Sequence, residues 1–496
     1  FGMIIAKKYG GLGFTALGHS AVIQKLASRS LPLSVTVMVP NSLGPAELLT
    51  HYGTDKQKSY YLPRLADGRE IPCFALTEPV AGSDAASIQS HGDVIKGKDG
   101  KLYVQLTWEK RYITLASVST ILGLAFRLRD PGNLLGKGPN PGITCALLPS
   151  KTKGVILGRR HDPMFVPFHN APTRGDKVLF PLDVVIGGID GVGRGWQMLM
   201  ECLGAGRGIS LPGTASGGAK LVTRLMGSYG NIRKQFGLSV GKFEGIEEAL
   251  ARIGSFSYLM EAARRYTCGA LDKGMKPAVV TAVAKYQFTE LFRRIINDGM
   301  DVQGGAGISQ GPRNLLGRPY IGMPISITVE GANIMTRALI LFGQGAIRCH
   351  PYAYQEIEAL AEGKVGQFDR ALFAHIVHIA RNAVRVAWYS LTRAWFATVP
   401  GVNWTFRSYQ KIKWASATFA LMTDIALVLL GGGIKRKEKI NGRFGDALSW
   451  LYLAVATLRR YEGEGRLVED KPYVKWALAH AFREIQVAFE GLYQNI

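Results

Sequence analysis

The residues best suited to chemistry in this sequence lie in a short segment, FALTEPVAGSD, at positions 74–84. We expect a strand to run into Pro79 and to turn through Gly82, which would present Thr77 and Ser83 beside exposed backbone amides. Hydroxyls and amides arranged in one plane can hydrogen-bond the edge of a flat heteroaromatic ring. An ordinary β-turn with polar side chains would have the same composition. The segment by itself therefore leaves a ring-binding site and a plain turn as alternatives.

Other chemical classes find little support in the sequence. Its five cysteines are isolated and never form a CxxC pair, which argues against a disulfide framework or a structural zinc site and favours a reducing compartment. The sequence GIDGVGRGW at 188–196 has glycines like those of a dinucleotide fingerprint, but no acidic residue follows at the required distance. We predict a connecting loop there, and no metal site in the chain.

The charge of the chain bears on its partners. Among 496 residues, 60 Lys and Arg oppose 37 Asp and Glu, a formal net charge of +23. Such an excess suits nucleic acid, anionic lipid or phosphorylated small molecules. No zinc-finger, RNP or phosphate-loop motif occurs, so we expect no nucleic-acid partner. Residues 381–460 hold 13 Lys and Arg but 3 Asp and Glu, and this net +10 fits either a solvated helix face or a membrane-facing patch.

The most apolar stretch of the chain, residues 414–434, is long enough to span a bilayer. Asp424 lies near its centre, and three consecutive glycines lie close to its end. A carboxylate is costly in the hydrocarbon core of a membrane. We therefore predict a buried helix in a soluble or peripheral protein.

The spacing of apolar residues and the positions of turn residues predict the helices and strands that must position these residues. Helical spacing of apolar residues covers 1–71, and short β-rich runs separated by turn residues cover 72–190. Helical spacing returns over 191–355 and continues through a further block at 356–496. We predict an α+β protein with four parts: an N-terminal helical domain, a barrel-like antiparallel β domain, a helical bundle and an additional C-terminal helical domain.

Six blocks of sequence, taken in order between residues 9 and 345, resemble the acyl-coenzyme A (acyl-CoA) dehydrogenase family. They are HYGTDKQKSYYLPRLADG at 51–68, the segment at 74–84, KRYIT at 110–114, YGNIRKQF at 229–236, DVQGGAG at 301–307 and VEGAN at 329–333. Two later tracts, FGQGAIRCHPY at 342–352 and the region 435–454, resemble the large bacterial fatty-acid-degradation members, which carry an extra C-terminal helical domain. The resemblance implies that the first helices of the usual fold precede Phe1.

The resemblance implies that Glu330 is the catalytic base, since the apolar, glycine-bearing VEGAN context is unlike a solvated face. Burial raises the pKa of such a carboxylate, and its own backbone N–H would polarise the thioester carbonyl. Some family members instead carry the base just before the arginine of a long helix. That position here is Gly206, before Arg207, and the nearby Glu201 matches no catalytic position.

The other site residues are likewise implied by the resemblance. FAD would be bound by Phe74, Leu76, Thr77, Gly82, Ser83, Tyr112, Ile113, Thr114, Arg233, Phe236, Gly304, Gly305 and Asn333, with Arg233 and Phe236 reaching the flavin of a neighbouring subunit. The substrate would be contacted by Ser83, Arg207 and Gly331. Three departures from the family pattern concern the adenosine side of the cofactor. Where the family usually has Gln three residues before the paired glycines, this chain has Asp301, and its Gln is at position 303. Glu244 replaces the Gln near the pyrophosphate helix, and Ala332-Asn333-Ile334 replaces Thr-x-Gln after the Glu-Gly pair.

These features predict an FAD-dependent acyl-CoA dehydrogenase that makes trans-2-enoyl-CoA in fatty-acid β-oxidation. Long-chain acyl-CoA is the expected substrate, electron-transferring flavoprotein the expected electron acceptor, and a homodimer or higher homo-oligomer the expected assembly. We expect a cytoplasmic protein with peripheral contact to the anionic inner membrane. The alternatives are an acyl-CoA oxidase that passes electrons to oxygen and a non-catalytic basic protein that binds lipid or nucleic acid.

Overall fold

The computed structural model describes residues 1–42 and 44–494, leaving aside the side chains at 203–205 and 346. The chain divides into two compact units. The first comprises residues 1–221, 268–276 and 306–330. The second comprises residues 222–267, 277–305 and 331–496.

The first unit begins with helices, as predicted for the N-terminal residues. After a 3₁₀ turn at Lys7–Tyr9 come α1 (Ala16–Ala27), α2 (Leu31–Ser42), α3 (Pro45–Tyr52) and α4 (Asp55–Asp67). Thr54 and Gln57 form a capping box at the start of α4, each side chain bonded to the other's backbone N–H. The Gln57 amide also donates to the carbonyls of Asp183 and Val185, which ties α4 to the end of the β region.

A seven-stranded sheet forms the centre of the first unit. Its strands, in chain order, are β1 (Pro72–Ala75), β2 (His91–Lys96), β3 (Leu102–Thr114), β4 (Ile121–Arg129), β5 (Gly142–Pro149), β6 (Val155–Leu157) and β7 (Asn170–Pro181). They are arranged in the order β1-β4-β2-β3-β7-β6, and β5 pairs with β4. One apolar core packs beneath this sheet, built around side chains such as Val104, Phe126 and Phe180.

The predicted antiparallel pairing holds for most of the sheet, and the exceptions are two parallel ladders on β4. Strand β5 pairs with β4 along its length in the antiparallel sense, whereas β1 and then β2 pair with it in the parallel sense at residues 121–124 and 127–129. Because β5 occupies one edge of β4, β1 and β2 must share the other edge. The chain therefore runs along β4, leaves the sheet over residues 76–90 and rejoins the same edge. We call residues 76–90 the excursion. It contains most of the predicted ring-binding segment, and its backbone groups are not part of the hydrogen-bond ladders of the sheet.

The region after the sheet also differs slightly from expectation. The predicted connecting loop at 188–196 contains a one-turn helix, α5 (Gly188–Gly191), and α6 (Gly195–Ile232) starts before the loop was predicted to end. Helix α6 continues from the first unit into the second. The end of the first unit is α10 (Gly317–Thr328), which packs against the 3₁₀ turn Pro163–Phe165 of the β region.

The second unit is almost entirely helical, as predicted. Its elements are the hairpin β8 (Lys234–Gln235) and β9 (Leu238–Ser239), α7 (Glu244–Asp272, its last turn in the first unit), α8 (Ala278–Gln303), α9 (Gly305–Ile308, mostly in the first unit), α11 (Asn333–Met335), a π-helical stretch (Thr336–Gly343), α12 (Gly345–Cys349), α13 (Ala353–Ala361), α14 (Val365–Thr392), α15 (Trp404–Leu430), α16 (Glu438–Gly463) and α17 (Lys471–Tyr493).

The prediction of a buried helix at 414–434 is wrong for most of its surface. The helical stretch Trp404–Arg436 is long and apolar enough to cross a membrane by length and composition, and only 22% of its most apolar window is buried in the unit. Asp424, with 1% of its surface exposed, is among the buried residues of this stretch, with Thr423 and Ala426 beside it. The helix therefore packs around its carboxylate while leaving many apolar side chains partly uncovered.

The sheet should tolerate no side chain at Gly175, which pairs with Trp108 across β3 and β7. A Cβ atom there would lie 2.1 Å from the indole ring. We expect Gly175→Ala to lower the free energy of unfolding by about 1–3 kcal/mol through overpacking, seen as a lower thermal midpoint. Gly132→Ala is the matched control, because its Cβ would meet only ordinary contacts. Equal midpoints for the two variants would contradict this packing.

Candidate active site

The excursion from the sheet builds the predicted ring-binding segment. The backbone N–H of Arg111 donates to the carbonyl of Thr77 at 3.0 Å, and Glu78 and Ala81 exchange backbone hydrogen bonds. The tight turn is thus centred on Pro79 and Val80, rather than on Gly82 as predicted. Gly82 and Ser83 follow on an exposed stretch, where a Cβ on Gly82 would meet nothing within 4 Å.

A buried ion pair joins the two predicted ring-binding motifs. Lys110 Nζ lies 2.7 Å from Glu78 Oε1 and 3.0 Å from the carbonyl oxygen of Leu76. The Glu78 carboxylate also accepts backbone hydrogen bonds from Gln89 and Ser90. Burial raises the pKa of Glu78, but these bonds and the Lys110 charge outweigh it and hold that pKa below its ordinary value. The pair therefore fixes both ends of the excursion to β3.

A β-bulge at the end of β3 redirects Tyr112. The register between β3 and β7 shifts between Lys110 and Ile113, and Tyr112 takes a φ of 60°. Its ring is 57% exposed and lies 5.2 Å from the ring of His161. Bulges commonly re-aim a side chain beside an active site. Tyr112 is accordingly free to cover a ligand.

Asn170 holds this bulge, although no sequence motif indicated it. Its amide donates to the carbonyl of Tyr112 at 3.0 Å and contacts the hydroxyl of Thr114 at 3.3 Å. His161 Nδ1 lies 2.8 Å from its amide oxygen. Because Asn170 is far from the bulge in sequence, only the pairing of β7 with β3 shows this role.

The remaining predicted ring contacts divide by burial. Phe74 and Leu76 are half-buried against the apolar core, and Thr77 and Thr114 are half-buried as well. Ile113, in contrast, is 3% exposed and belongs to the core under the sheet. Its side chain cannot face a ligand, so only its backbone is available for the predicted role.

Glu330 sits on a strained backbone directly after α10. It has a φ of 57°, and the next residue, Gly331, has a φ of 95°. A left-handed conformation costs a non-glycine residue about 1–3 kcal/mol and is concentrated at functional sites. Both carboxylate oxygens of Glu330 are buried from solvent, although the residue as a whole is half-buried. The structure thus withdraws this carboxylate from water, as the base assignment requires.

Arg207 and Gly206 lie in the same unit as Glu330. Burial lowers the pKa of the Arg207 guanidinium, and attraction to the Glu330 carboxylate opposes that shift, so the two charges are within electrostatic reach. A Cβ at Gly206 would lie 2.5 Å from the carbonyl oxygen of Ser42. The alternative position for the base therefore has no room for a side chain. Glu201 is exposed and pairs with Lys276 at 3.3 Å.

Within the second unit, a buried lysine anchors the residues that follow Glu330. Lys285 Nζ lies 2.7 Å from the carbonyl oxygen of Gly331 and 2.6 Å from Asn333 Oδ1. The Asn333 amide nitrogen donates to Thr289 and Glu290. This network occupies both polar atoms of the Asn333 amide, and the contact between Asn333 and the cofactor stays a prediction. No sequence motif indicated Lys285.

The residues predicted to reach a neighbouring subunit lie at one place in the second unit. The Tyr229 hydroxyl donates to the carbonyl of Gln303 at 3.2 Å, which brings the blocks at 229–236 and 301–307 together. Arg233 is exposed, and Phe236, at 94% exposure, forms the β8–β9 turn with Gly237. Gly304 has φ 58° and ψ −138°, a conformation open mainly to glycine. Gly305 is exposed beside it.

The Lys110–Glu78 pair gives a direct test of how the ring-binding segment is held. Lys110→Met leaves a buried carboxylate unpaired, and we expect it to lower stability by about 3–5 kcal/mol. The thermal midpoint and the flavin absorbance per polypeptide should both fall. The double variant Glu78→Gln/Lys110→Met, which removes the charge as well, should recover part of both. A single variant with normal flavin content would contradict this role.

Comparison with known proteins identifies four family models along the chain. They are the acyl-CoA dehydrogenase N-terminal domain at residues 1–69, the middle domain at 73–173, the C-terminal domain at 193–343 and the bacterial-type C-terminal domain at 347–496. The models follow one another without overlap. The additional helical block therefore corresponds to a recognised bacterial domain.

Individual relatives agree with these models. The chain is 31% identical over 312 residues to the 3-(aryl)acrylate reductase of Clostridium sporogenes, covering 62% of this chain and 78% of that protein. It is 28% identical over 336 residues to the probable acyl-CoA dehydrogenase FadE10 of Mycobacterium tuberculosis, covering 67% of this chain and 50% of FadE10. A stretch of 104 residues, 21% of the chain, is 53% identical to protein HemX of Proteus mirabilis and covers 61% of it. The chain thus spans about half to three fifths of the length of FadE10 and HemX.

Among solved structures, the acyl-CoA dehydrogenase of Bacillus anthracis complexed with FAD aligns with 99% of this chain and 80% of its own. The TM-score is 0.80 at 19% identity. That likeness concerns the fold, and it extends through the C-terminal helical block. The butyryl-CoA dehydrogenase of Megasphaera elsdenii aligns with 70% of this chain and 86% of its own, at 25% identity and a TM-score of 0.60.

Proposed function

Because the chain belongs to the acyl-CoA dehydrogenase family, we propose that it dehydrogenates acyl-CoA to trans-2-enoyl-CoA with FAD as its cofactor. Glu330 carries the proposal, since its carboxylate is withdrawn from water on a strained backbone, within electrostatic reach of Arg207. This is the environment that a carboxylate base needs for a weakly acidic carbon.

The residues of the first unit suit a flavin. Tyr112 offers an exposed ring, Thr77 and Ser83 offer hydroxyls, and the excursion offers backbone amides outside the sheet ladder. Phe74 and Leu76 would supply the apolar part of the contact. FAD, when bound, supplies the oxidant that accepts a hydride from the β carbon, since no side chain can do so.

The protein's own residues would perform the proton transfer. The α C–H bond would break as its proton moves to the Glu330 carboxylate. The β carbon would lose its hydrogen as a hydride to the bound flavin, and the electron pair left at the α carbon would form the C=C bond. The Glu330 backbone N–H would polarise the thioester carbonyl and acidify the α proton.

We propose long-chain acyl-CoA as the substrate, electron-transferring flavoprotein as the electron acceptor, β-oxidation as the process and the cytoplasm as the location, all from the subfamily resemblance. A homo-oligomer is supported by the exposed end of the second unit, where Ile232 and Phe236 are 78% and 94% exposed. Large apolar side chains at that exposure are typical of a contact surface.

The first prediction concerns the base. Glu330→Gln keeps the size of the side chain but cannot accept the α proton, so we expect turnover to fall by about 10²- to 10⁴-fold with flavin content unchanged. Anaerobic titration with palmitoyl-CoA, followed by flavin absorbance, should bleach the wild-type protein and leave the variant yellow. Full bleaching of the variant would refute the assignment.

The control for that variant is the alternative base position. Glu330→Gln/Gly206→Glu should restore no activity, because Ser42 leaves no room for a side chain at 206. Release of hydrogen peroxide at the rate of turnover in air would instead favour the oxidase alternative, and a wild-type protein that no acyl-CoA bleaches would favour the non-catalytic one.

Chain length provides a separate prediction. The rate of dehydrogenation should rise from butyryl-CoA to palmitoyl-CoA if the long-chain proposal holds. Turnover is measured for a series of straight-chain acyl-CoA substrates at matched concentrations with an artificial electron acceptor. A maximum at butyryl-CoA would overturn the long-chain proposal and leave the dehydrogenase proposal standing.

A further inference from the structure

Helix α14 of the second unit buries an unusual face. Its buried residues are Ala371, His375, Asn382 and Tyr389, separated by four, seven and seven positions, so they share one side of the helix. A small residue, an imidazole, an amide and a phenol form this inward side. Leu372, Ile379 and Val386 are half-buried beside this inward side, and other large apolar side chains of α14 lie elsewhere.

An apolar stripe occupies the opposite side of α14. Its members are Phe373, Val377, Val384, Trp388 and Leu391, which are 67%, 66%, 70%, 52% and 84% exposed. Phe373 lies two positions after Ala371, which is about 200° around the helix. Each later member follows the one before by four, seven, four or three residues, so the stripe stays on the side opposite the buried face. Trp395 and Phe396 extend it past the helix end, at 62% and 74% exposure. Contiguous exposed apolar surface of this kind marks an interaction site.

The charge close to this stripe is mainly basic, although Asp369 lies one turn before Phe373 on α14 and Glu358 and Glu362 are exposed in the neighbouring α13 region. Between Asp369 and Asp424 the sequence contains no Asp or Glu, but seven Lys and Arg: Arg370, Arg381, Arg385, Arg393, Arg407, Lys411 and Lys413. Arg381 and Arg385 are exposed on α14 itself, at positions that border the stripe. A second copy of the same face would bring like charges together, which disfavours a symmetric contact between two copies. The charge instead complements an anionic surface.

The neighbouring helix α15 is held within the unit despite its hydropathy. Asp424 Oδ1 lies 2.8 Å from His350 Nε2 and 3.4 Å from His375 Nε2, and His375 Nδ1 lies 2.7 Å from Glu356 Oε1. The backbone N–H groups of Tyr352 and Ala353 donate to His350 Nδ1, which orients that ring toward Asp424. Pulling α15 out to span a bilayer would break this buried network. Contact with a membrane is thereby confined to the outward face of the folded unit.

We propose that the stripe of α14, with Trp395 and Phe396, docks on the surface of an anionic phospholipid bilayer. The aliphatic and aromatic side chains enter the boundary between headgroups and acyl chains, and the bordering arginines meet lipid phosphates. An outward apolar face bordered by basic residues, with tryptophans among its members, is the composition of a helix that lies in the membrane interface. This surface extends beyond the proposed dehydrogenase chemistry and shares no residue with that site.

The test uses the full chain and vesicles of phosphatidylcholine with or without phosphatidylglycerol. The protein should sediment with the anionic vesicles at low salt, bind the neutral ones more weakly, and release as salt screens the phosphates. Tryptophan emission should shift to the blue on anionic vesicles, and the shift should shrink in Trp388→Phe/Trp395→Phe. Failure to sediment with anionic vesicles at low salt would overturn the proposal.

Substitutions can distinguish the contribution of the apolar stripe to vesicle binding from the contribution of the overall positive charge. Val384→Glu/Leu391→Glu should abolish vesicle binding, whereas Val468→Glu, at a residue 77% exposed outside the stripe, should not. Arg381→Gln and Arg385→Gln should each weaken partitioning about fivefold. Turnover of soluble acyl-CoA should stay at the wild-type rate in all of these, which keeps the result independent of the dehydrogenase assignment.

Two results would overturn the proposal by favouring another occupant. A smaller oligomer for Val384→Glu/Leu391→Glu in light scattering, with vesicle binding unchanged, would make the stripe an interface between copies. Equal loss of binding in the stripe variant and in Val468→Glu would show that added negative charge, rather than the stripe, controls association. The proposal requires loss in the stripe variant alone, at an unchanged oligomeric state.

Discussion

The predicted ring-binding segment of the first unit depends on one buried ion pair, between Lys110 and Glu78. The chain leaves the sheet after β1 and returns at β2, so the intervening backbone has no strand to hold it. Lys110 crosses this gap from β3, and it bonds both the Glu78 carboxylate and the carbonyl of Leu76. A buried charge left without its partner costs several kcal/mol. The excursion therefore has a strongly preferred position, and the amides and hydroxyls it carries are ordered before any ligand arrives.

The candidate base depends on a different constraint, the backbone at the end of α10. A left-handed residue other than glycine is tolerated only where its surroundings determine it. Here the helix before Glu330 and the Lys285 network after Gly331 hold the two ends of the turn. The carboxylate is then buried near a guanidinium whose own hydration is reduced. Strain, burial and opposite charge are thus combined at the residue proposed as the base.

The bacterial-type C-terminal domain shows how hydropathy and burial can diverge. Helices α14 and α15 bury Asp424 and His375 at their contact and leave valine, leucine and tryptophan outside. A soluble helix normally does the reverse. The polar pair supplies directional bonds between the two helices, beside the smaller apolar cluster of Tyr389, Trp414 and Ala417. The exposure of the outward valine, leucine and tryptophan side chains is better explained by a partner outside the chain.

Much of this protein could be predicted from its sequence. Local patterns were sufficient for the helical, β and helical order of the chain, and the ordered motifs indicated its family. The flavin segment and Glu330 as base remain predictions from the same motifs. The sequence also showed that Gly206, just before Arg207, cannot supply a base. These features are encoded in residue types and short spacings, which act within a few residues along the chain.

Other features depend on contacts between residues that are far apart in sequence, and local patterns could not predict them. The parallel pairing of β4, the bulge at Tyr112 secured by Asn170, and the Lys285 network that occupies Asn333 all join residues that are far apart in sequence. The outward stripe of α14 belongs with them, because periodicity places apolar residues on one face and cannot say whether that face is buried. The sequence determined which groups this protein has available for chemistry, and tertiary structure decided which are withdrawn from water, since burial depends on every segment that packs against them.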